Sequence, residues 1–536
     1  MGAVNLFSAL QPTWGNRLEQ IGVAIPLQVR VDSRLAIALT GFVLFQLAGC
    51  LWRRKRAAWF LTLLLLAIST LEYLFSVPLY AACMSIGLLL LMLLLGGSFY
   101  SNSDPPSVYQ GLGTLAVASV FTVVYSIAGF TIDGIHNHQP VSFLAALNQT
   151  LALLASFFHS GPTPGTGYDP YFTNSIYVIG IATLCVALFM LVRPVMLRSS
   201  ATAEERRRVA ALVKKYGRSI VAPMAIFDDK HYFFSPGGSV IAYGVRDRGA
   251  LALGGPIGPP EDVPAAISAF KDFCARNDWL PFFCSLLPDR LKYYESNGFK
   301  TLCIFYEAVV QLDSFSLEGH QNSGFRKPYH KIAHLGYRAT VYYPPLDDKL
   351  VHELRLVSDN WLNTRYGREK YFFVGRFTDE YIRDNPVLVV HSPEGKVTAF
   401  ANLLSITEKN EATSDLVRYH RKVENGIMEF LVVSMLNWAK SKGYTAFSLT
   451  ASAVIDKGER QNDQEVPMYK SLSSLYTIIN PFIPLKGIYK FYDKFHPRWE
   501  PLYLAYPGST SLPMALQTAI LVYTGKRTVW QFLDRI

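Results

Sequence analysis

Before Pro194 the chain is a succession of apolar runs, each near the length that one bilayer crossing requires. Leu35 to Trp52, Ala57 to Ser76, Pro78 to Gly97, Gly111 to Phe130 and Ser175 to Val192 are the expected spans. Val141 to Phe158 is also apolar but holds Asn148 and Gln149, which makes it re-entrant or interfacial. Arg53, Arg54, Lys55 and Arg56 follow the first run, and Arg193, Arg198, Arg206, Arg207, Arg208, Lys214 and Lys215 crowd the exit from the last. The positive-inside rule then predicts a multi-pass protein of the inner or plasma membrane, with everything after Val192 in the cytoplasm. About five spans leave the N-terminus outside, and a further span within Met1 to Asp32 would reverse that. Those first residues lack the charged, apolar and small-residue order of a cleavable signal peptide. Glu72 lies inside the second run, and an intramembrane carboxylate is a candidate functional group unless it reaches the interface.

From Glu204 onward the apolar spacing changes to that of alternating helices and strands. Helix Glu204–Tyr216 and strand Met224–Phe227 are expected first. A hairpin of Tyr232–Phe234 and Val240–Val245 turns at Pro236–Gly237–Gly238. Strand Ala250–Leu253, helix Glu261–Arg276, strand Leu280–Cys284, helix Asp289–Ser296 and strand Cys303–Leu312 complete this part. A like order recurs: strand Arg338–Tyr343, helix Asp347–Leu362, hairpin Val387–His391 with Lys396–Ser405, strand Thr413–Tyr419, a helix, then strand Ala446–Leu449. An irregular stretch, Ala451–Pro484, precedes helix Gly487–Lys494 and strand Leu502–Tyr506. The recurrence points to internal duplication of a mixed-sheet unit. The expected architecture is an α-helical membrane domain over 1–200, then α/β units over 201–335 and 336–536.

Chemistry concentrates in Ala412–Tyr444. A strand brings Asp415 and Arg418 close together, and a loop with His420, Arg421 and Lys422 follows. Asn425 sits where a helix N-cap belongs and Gly443 where a C′ glycine belongs. Ile427, Phe430, Leu431, Met435 and Trp438 give the helix one buried face, and Glu429 falls in its first turn. Strand, charged loop and helix N-terminus form either an anion-handling, acyl-transfer site or a surface salt bridge beside an ordinary helix. The net charge of +10 suits anionic lipid headgroups, RNA, or both. The cysteines show no metal-ligand spacing and fit a reducing compartment, no metal site is expected, and no Walker loop is present.

Several blocks together resemble one family. They are DKHYFFSPGGSVIAYGV (Asp229–Val245), ALGGPIG (Ala252–Gly258), YYESNGFK (Tyr293–Lys300) and YEAVVQLDSFSLEG (Tyr306–Gly319), then WLNTRYGREKYFFVGRFTDEYI (Trp361–Ile382) and GKVTAFANLL (Gly395–Leu404). SDLVRY (Ser414–Tyr419), NGIMEFL (Asn425–Leu431) and KFHPRWEPLYLAY (Lys494–Tyr506) follow. In this order they resemble the catalytic domain of the phosphatidylglycerol lysyltransferases, the aminoacyl-phosphatidylglycerol synthases. The chain departs from the family pattern at Gly255, at Ala451–Ser452–Ala453, at Tyr492 and at Leu502.

The resemblance implies tandem GNAT-type folds on the cytoplasmic side of a membrane domain. It implies transfer of an aminoacyl group, lysyl or alanyl, from aminoacyl-tRNA to phosphatidylglycerol. That donor is an activated ester, so no cofactor is expected; the partners are aminoacyl-tRNA, phosphatidylglycerol, other membrane lipids and, as an open matter, a second copy of the chain. Asp415 would grip the donor's α-ammonium or move a proton, or else only pair with Arg418. Arg418 would grip a phosphate or the tRNA end. Glu429 would bind a cationic side chain or act as base, or only stabilise its helix, and Lys494 would contact a phosphate or oxyanion. Arg421, Lys490 and Arg498 are basic candidates for substrate contact, and Tyr419 and Trp499 could stack on the terminal adenine. Glu307 is read as a carboxylate bridging the repeats through Arg326 or Lys327. Two other readings stay open: a lipid transporter with a binding-only soluble part, and an acyl-coenzyme-A acyltransferase, although neither GGPIGPP nor HRKVENG matches a coenzyme-A loop.

Overall fold

The computed structural model describes residues 201–365, 369–452 and 485–525, together with 54–76, 79–99 and scattered positions between 47 and 148. It separates into two compact units, Met1–Met196 with Phe273–Trp279, and Leu197–Asp272 with Leu280–Ile536. In the first, α1 (Arg56–Ser76) and α2 (Leu79–Leu94) coincide with the second and third expected spans. They pack together, and the Trp59 indole donates to the Met92 carbonyl at 2.8 Å. No helix among the described residues is long and apolar enough to cross a membrane. The remaining expected spans lie wholly or mostly outside the described residues, as does Ala451–Pro484 beyond residue 452.

The second unit opens with α3 (Ala203–Tyr216). A capping box starts it: Thr202 Oγ1 accepts from Glu205 N–H at 3.2 Å, and the Glu205 carboxylate accepts from Thr202 N–H at 2.8 Å. The strands are β1 (His231–Phe234), β2 (Val240–Arg246), β3 (Gly249–Leu253), β4 (Leu280–Leu286), β5 (Phe299–Gln311), β6 (Arg338–Tyr342), β7 (Val387–His391), β8 (Val397–Asn402), β9 (Leu404–Ile406), β10 (Glu411–Thr413), β11 (Val417–Tyr419), β12 (Ala446–Ser452) and β13 (Arg498–Pro507). They form a nine-stranded sheet in the order β1-β2-β3-β4-β13-β5-β12-β10-β9 and a four-stranded sheet β11-β8-β7-β6. The helices between them are α4 (Val263–Arg276), α5 (Leu291–Ser296), α6 (Ser323–His334), α7 (Asp348–Arg365), α8 (Asp379–Arg383), α9 (Ile427–Ser441), α10 (Leu485–Asp493) and α11 (Leu512–Thr524). β13 enters between β4 and β5, antiparallel to both, and β12, β10 and β9 extend the sheet from β5. Strands from before and after residue 335 therefore share one hydrogen-bonded frame.

Three local expectations change. Met224–Phe227 is not a strand: Ala222–Ile226 is a 3₁₀ turn with Pro223 at its start, where a residue without an N–H and with a preset φ favours a helical turn over a ladder. Lys396–Ser405 and Thr413–Tyr419 are each broken in two, with β8 and β11 paired in the smaller sheet and β9 and β10 in the larger. The N-cap of α9 is Gly426 rather than Asn425, and no side chain caps it. Its φ of 111° turns the chain into the helix beside α6, where a Cβ on it would lie 3.0 Å from Pro328 Cβ. The other end is as expected: Gly443 N–H donates to Lys440 O at 3.1 Å and Tyr444 N–H to Ala439 O at 3.2 Å, a Schellman motif.

α9 buries Ile427, Phe430, Leu431 and Met435 against Val310, Phe447 and Leu449 of the larger sheet and Val390 and Ala401 of the smaller. Each such side chain contributes roughly 1.5–3 kcal/mol on full burial. Across the sheets, Phe227, Tyr381, Phe400, Leu404 and Leu416 belong to a second core. We predict that Asn425→Ala leaves the denaturation midpoint of the full chain unchanged. Gly426→Val should lower stability by about 1–3 kcal/mol, through the strained φ and the collision with α6. A large loss in Asn425→Ala would show that Asn425 is the cap after all.

Candidate active site

Two strands pass from one sheet to the other, and where they do so the ladder is interrupted between β10 and β11. Asn402, at the end of β8 and fully buried, fills the gap. Its Oδ1 accepts from Leu416 N–H at 2.9 Å and Asp415 N–H at 3.2 Å, replacing ladder bonds that the parting strands cannot make. Its Nδ2 donates to Asp415 Oδ1. Tyr381 Oη donates to the other oxygen, Oδ2, at 2.9 Å. Tyr381 is set by α8, whose Thr378 cap accepts its N–H at 3.2 Å, and its ring lies 4.7 Å from Phe227. Gly375 closes over the carboxylate: a Cβ there would fall 1.8 Å from Asp415 Oδ2, so only glycine lets the backbone pass. Burial raises the Asp415 pKa from its ordinary 3.8 to about 6, against the pull of Asn402, Tyr381 and Arg418.

Arg418 lies on β11 opposite Phe400 and is buried. Its guanidinium sits 3.9 Å from the centroid of the Trp361 ring, and Nη2 donates to Glu369 Oε2 at 2.9 Å. Glu369 also accepts the Phe377 N–H at 3.2 Å. The segment carrying Glu369 and Gly375 is held by the loop before β1. Asp229 Oδ2 accepts the Phe372 N–H at 2.8 Å, Asp228 pairs with Arg376, and the wholly buried Lys230 donates to Asp229 Oδ1 at 2.6 Å. The Phe372 ring lies 4.9 Å from Lys230 Nζ. Burial draws the Lys230 pKa down to about 8, with Asp229 opposing it. The corner thus presents a carboxylate that ionises near neutrality and a guanidinium fixed in one orientation.

The other expected residues fall elsewhere. Glu429 and Lys494 pair with each other at 2.7 Å. Glu429 lines a cavity of about 480 Å³ with Lys327, Pro328, Lys331, Asn425 and Gly426. Tyr419, on β11, packs against the α9 core. Arg421 is exposed, and its backbone N–H reaches Asn360 Oδ1 at 2.9 Å. Lys490 is exposed on α10; Trp499 packs against Tyr489 at 4.8 Å; Arg498 binds the Glu500 carboxylate. The expected bridge from Glu307 is not made. Arg326 donates instead to the carbonyls of Leu317 and Gly319, the short local contacts that its helix start allows, and neither Glu307 oxygen has a hydrogen-bond partner. Sequence reasoning did not single out Asn402, Tyr381, Glu369, Trp361 or Gly375. Asn402 left one signal, a polar residue in the apolar run VTAFANLL, since a buried amide requires partners.

Because the folded pKa of Asp415 is raised, its contribution to stability is full below about pH 4 and is lost as pH rises through about 6. Asp415→Asn removes that dependence. Between pH 4 and 7.5 the unfolding free energy of the variant should gain on the wild type by about 2–3 kcal/mol. A difference that stays flat with pH would rule the raised pKa out.

Comparisons with known proteins bear on most of this unit. The profile of the family described as "Phosphatidylglycerol lysyltransferase, C-terminal" matches residues 210–506. The phosphatidylglycerol lysyltransferase of Bacillus subtilis is 27% identical over 355 residues, covering 65% of this chain and 41% of that protein. That of Staphylococcus aureus is 25% identical over 357 residues, covering 66% and 42%. The chain thus spans about two-fifths of the length of these curated relatives. The solved structure of L-PGS from Bacillus licheniformis is 28% identical with a TM-score of 0.54, covering 61% of this chain and 97% of that one. The C-terminal domain (DUF2156) of an Agrobacterium fabrum protein assigned as a lysylphosphatidylglycerol synthetase is 30% identical with a TM-score of 0.55, covering 61% and 98%. The resemblance read from the sequence blocks is borne out, and the chain belongs to the phosphatidylglycerol lysyltransferase family.

Proposed function

We propose that the protein is a membrane-bound aminoacyltransferase that moves an aminoacyl group, lysyl or alanyl, from aminoacyl-tRNA to phosphatidylglycerol, lowering the negative charge of the membrane. The observation that carries this reading is the Asp415 carboxylate clamped by Asn402 and Tyr381 beside the stacked Arg418, in a chain of this family. Residues 1–200 form the membrane domain, and 201–335 and 336–536 are tandem GNAT-type units on the cytoplasmic side. The arginine-rich exit after Val192 supports that topology.

The chemistry asks little beyond orientation. The donor is already an ester: a phosphatidylglycerol hydroxyl attacks its carbonyl carbon, a new ester C–O bond forms, and the bond to the ribose oxygen breaks. The proton leaves the attacking hydroxyl and ends on the ribose oxygen. Asp415, ionised above about pH 6, holds the donor's α-ammonium and thereby its carbonyl; the same pKa suits a group that relays the proton. Arg418, immobilised by Glu369 and Trp361, offers a preorganised fork to a phosphate of the tRNA end or the lipid. Lys494 is available to an oxyanion only in competition with Glu429.

The test is formation of labelled lipid by membranes holding the protein, supplied with radiolabelled amino acid, ATP and a tRNA and synthetase fraction. Ribonuclease added at the start should abolish labelling, and Asp415→Ala or Arg418→Ala should lower it by roughly two orders of magnitude or more at unchanged membrane abundance. Wild-type labelling should fall below pH about 6 as Asp415 takes up its proton. Labelling that survives ribonuclease, or that appears with acyl-coenzyme A alone, refutes the tRNA-dependent reading.

A further inference from the structure

A strap from Glu369 to Phe377 covers the corner that carries Asp415 and Arg418. Glu369 ties its two ends, since its Oε1 accepts the Phe377 N–H at 3.2 Å. The other Glu369 oxygen holds Arg418 at 2.9 Å, and Gly375 lies against the Asp415 carboxylate. Both groups of the corner therefore depend on where the strap sits. Three contacts anchor its middle. Tyr371 N–H donates to Tyr523 O at 2.9 Å, and Phe372 N–H donates to Asp229 Oδ2 at 2.8 Å. Arg376 pairs with Asp228 and lies 3.8 Å from Asp229 Oδ1. Phe372 has a φ of 70°, a left-handed conformation that a bulky residue keeps only where its surroundings impose it. Two of the three anchors thus come from the short loop before β1, in the first half of the chain.

Lys230 stands behind that loop. It is wholly buried, and its Nζ donates to Asp229 Oδ1 at 2.6 Å. The Phe372 and Phe227 rings lie 4.9 Å and 5.7 Å from the ammonium. The charged groups around it are Asp229 and Asp228 on its own loop and Arg376 on the strap. Asp229 therefore meets Lys230 with one oxygen and the strap's Phe372 N–H with the other. An unbroken series of contacts runs from Lys230 through Asp229, Phe372 and Gly375 to Asp415. Without the ammonium, Asp229 is a largely buried carboxylate short of a partner, and turning toward water would release the Phe372 N–H.

We propose that Lys230 is a positioning residue for the transfer reaction: its ammonium latches the 369–377 strap through Asp229 and so fixes Asp415 and Arg418 for the donor. This rests on the transfer reading above for the reaction, but the latch itself can be tested without turnover. Burial lowers the Lys230 pKa from 10.5 to about 8, and Asp229 is the first influence opposing it. The two effects act in opposite senses. Because the folded pKa is lowered, the cost of the buried charge is present below about pH 8 and is relieved as pH rises from there. Global stability therefore does not fall through this group. Because Asp229 holds the proton on, losing it weakens the Lys230–Asp229 bond, and the strap loosens locally.

The first measurement is hydrogen exchange of the strap in the full wild-type chain in detergent, corrected for the intrinsic rise with pH. Exchange at Phe372 should quicken about tenfold between pH 7.5 and 9 with no fall in the thermal midpoint. In transfer assays, with initial rates corrected for spontaneous hydrolysis of the ester, kcat/KM for the donor should fall over the same range. Lys230→Met should lower it at least about tenfold at pH 7.5. Lys230→Arg, charged at every pH used, should keep most of the transfer and lose the alkaline fall. Strap exchange in the wild type that is indifferent to pH overturns the proposal whatever the variants do. So does wild-type transfer by Lys230→Met, or an alkaline fall that persists in Lys230→Arg. If the strap responds as stated but the wild type forms no aminoacyl lipid from any charged tRNA, the transfer reading falls and the latch remains.

Discussion

The carboxamide of Asn402 is the contact on which the site depends. Two sheets can part along a pair of strands only if the N–H groups exposed at the corner find other acceptors. Asn402 Oδ1 accepts from Asp415 and Leu416, and the same side chain donates to the Asp415 carboxylate. One group thus closes the break and orients the carboxylate that the break exposes. An apolar residue of similar size could pack there but would leave both N–H groups buried and unmatched, at about 1–3 kcal/mol each. The corner is polar because the backbone requires it, and Asp415 and Tyr381 share the same network.

Around that corner, among the described residues, charge is buried where it is matched, with Glu307 the exception. Arg418 has Glu369 and the face of Trp361; Lys230 has Asp229 and the Phe372 ring. Such pairs add little net stability, since desolvation offsets much of their attraction, but breaking one leaves a lone buried charge. Their effect is positional: Asp228 and Asp229 hold the segment that carries Glu369 and lays Gly375 over Asp415. Glu307 is the exception: it is buried on β5 and neither of its oxygens has a hydrogen-bond partner.

Near-neighbour patterns in the chain carried much of the fold. Apolar spacing located most strands and the buried face of α9, and Gly443 ended that helix as a C′ glycine should, because these preferences act over a few residues. Where local pattern failed, a longer-range fact had overruled it. Asn425 is a good cap residue, but the approach of α6 forces the turn onto Gly426. Thr413–Tyr419 reads as one extended strand, and nothing in its spacing says that the two sheets divide it.

The sequence by itself determined the family, through blocks that stand in a fixed order, and it pointed to Asp415 and Arg418 as residues to watch. Tertiary structure alone decided what surrounds them. Tyr381 reaches Asp415 across 34 residues, Glu369 reaches Arg418 across 49, and Asp229 reaches Phe372 across 143. It also decided that β13 should enter between β4 and β5, and that Glu307 should lack the partner, Arg326 or Lys327, expected for it. Helix and strand preferences are set by neighbours along the chain, whereas the partner of a buried charge is set by which distant segments the packing of the sheets brings together, and no spacing in the sequence encodes that.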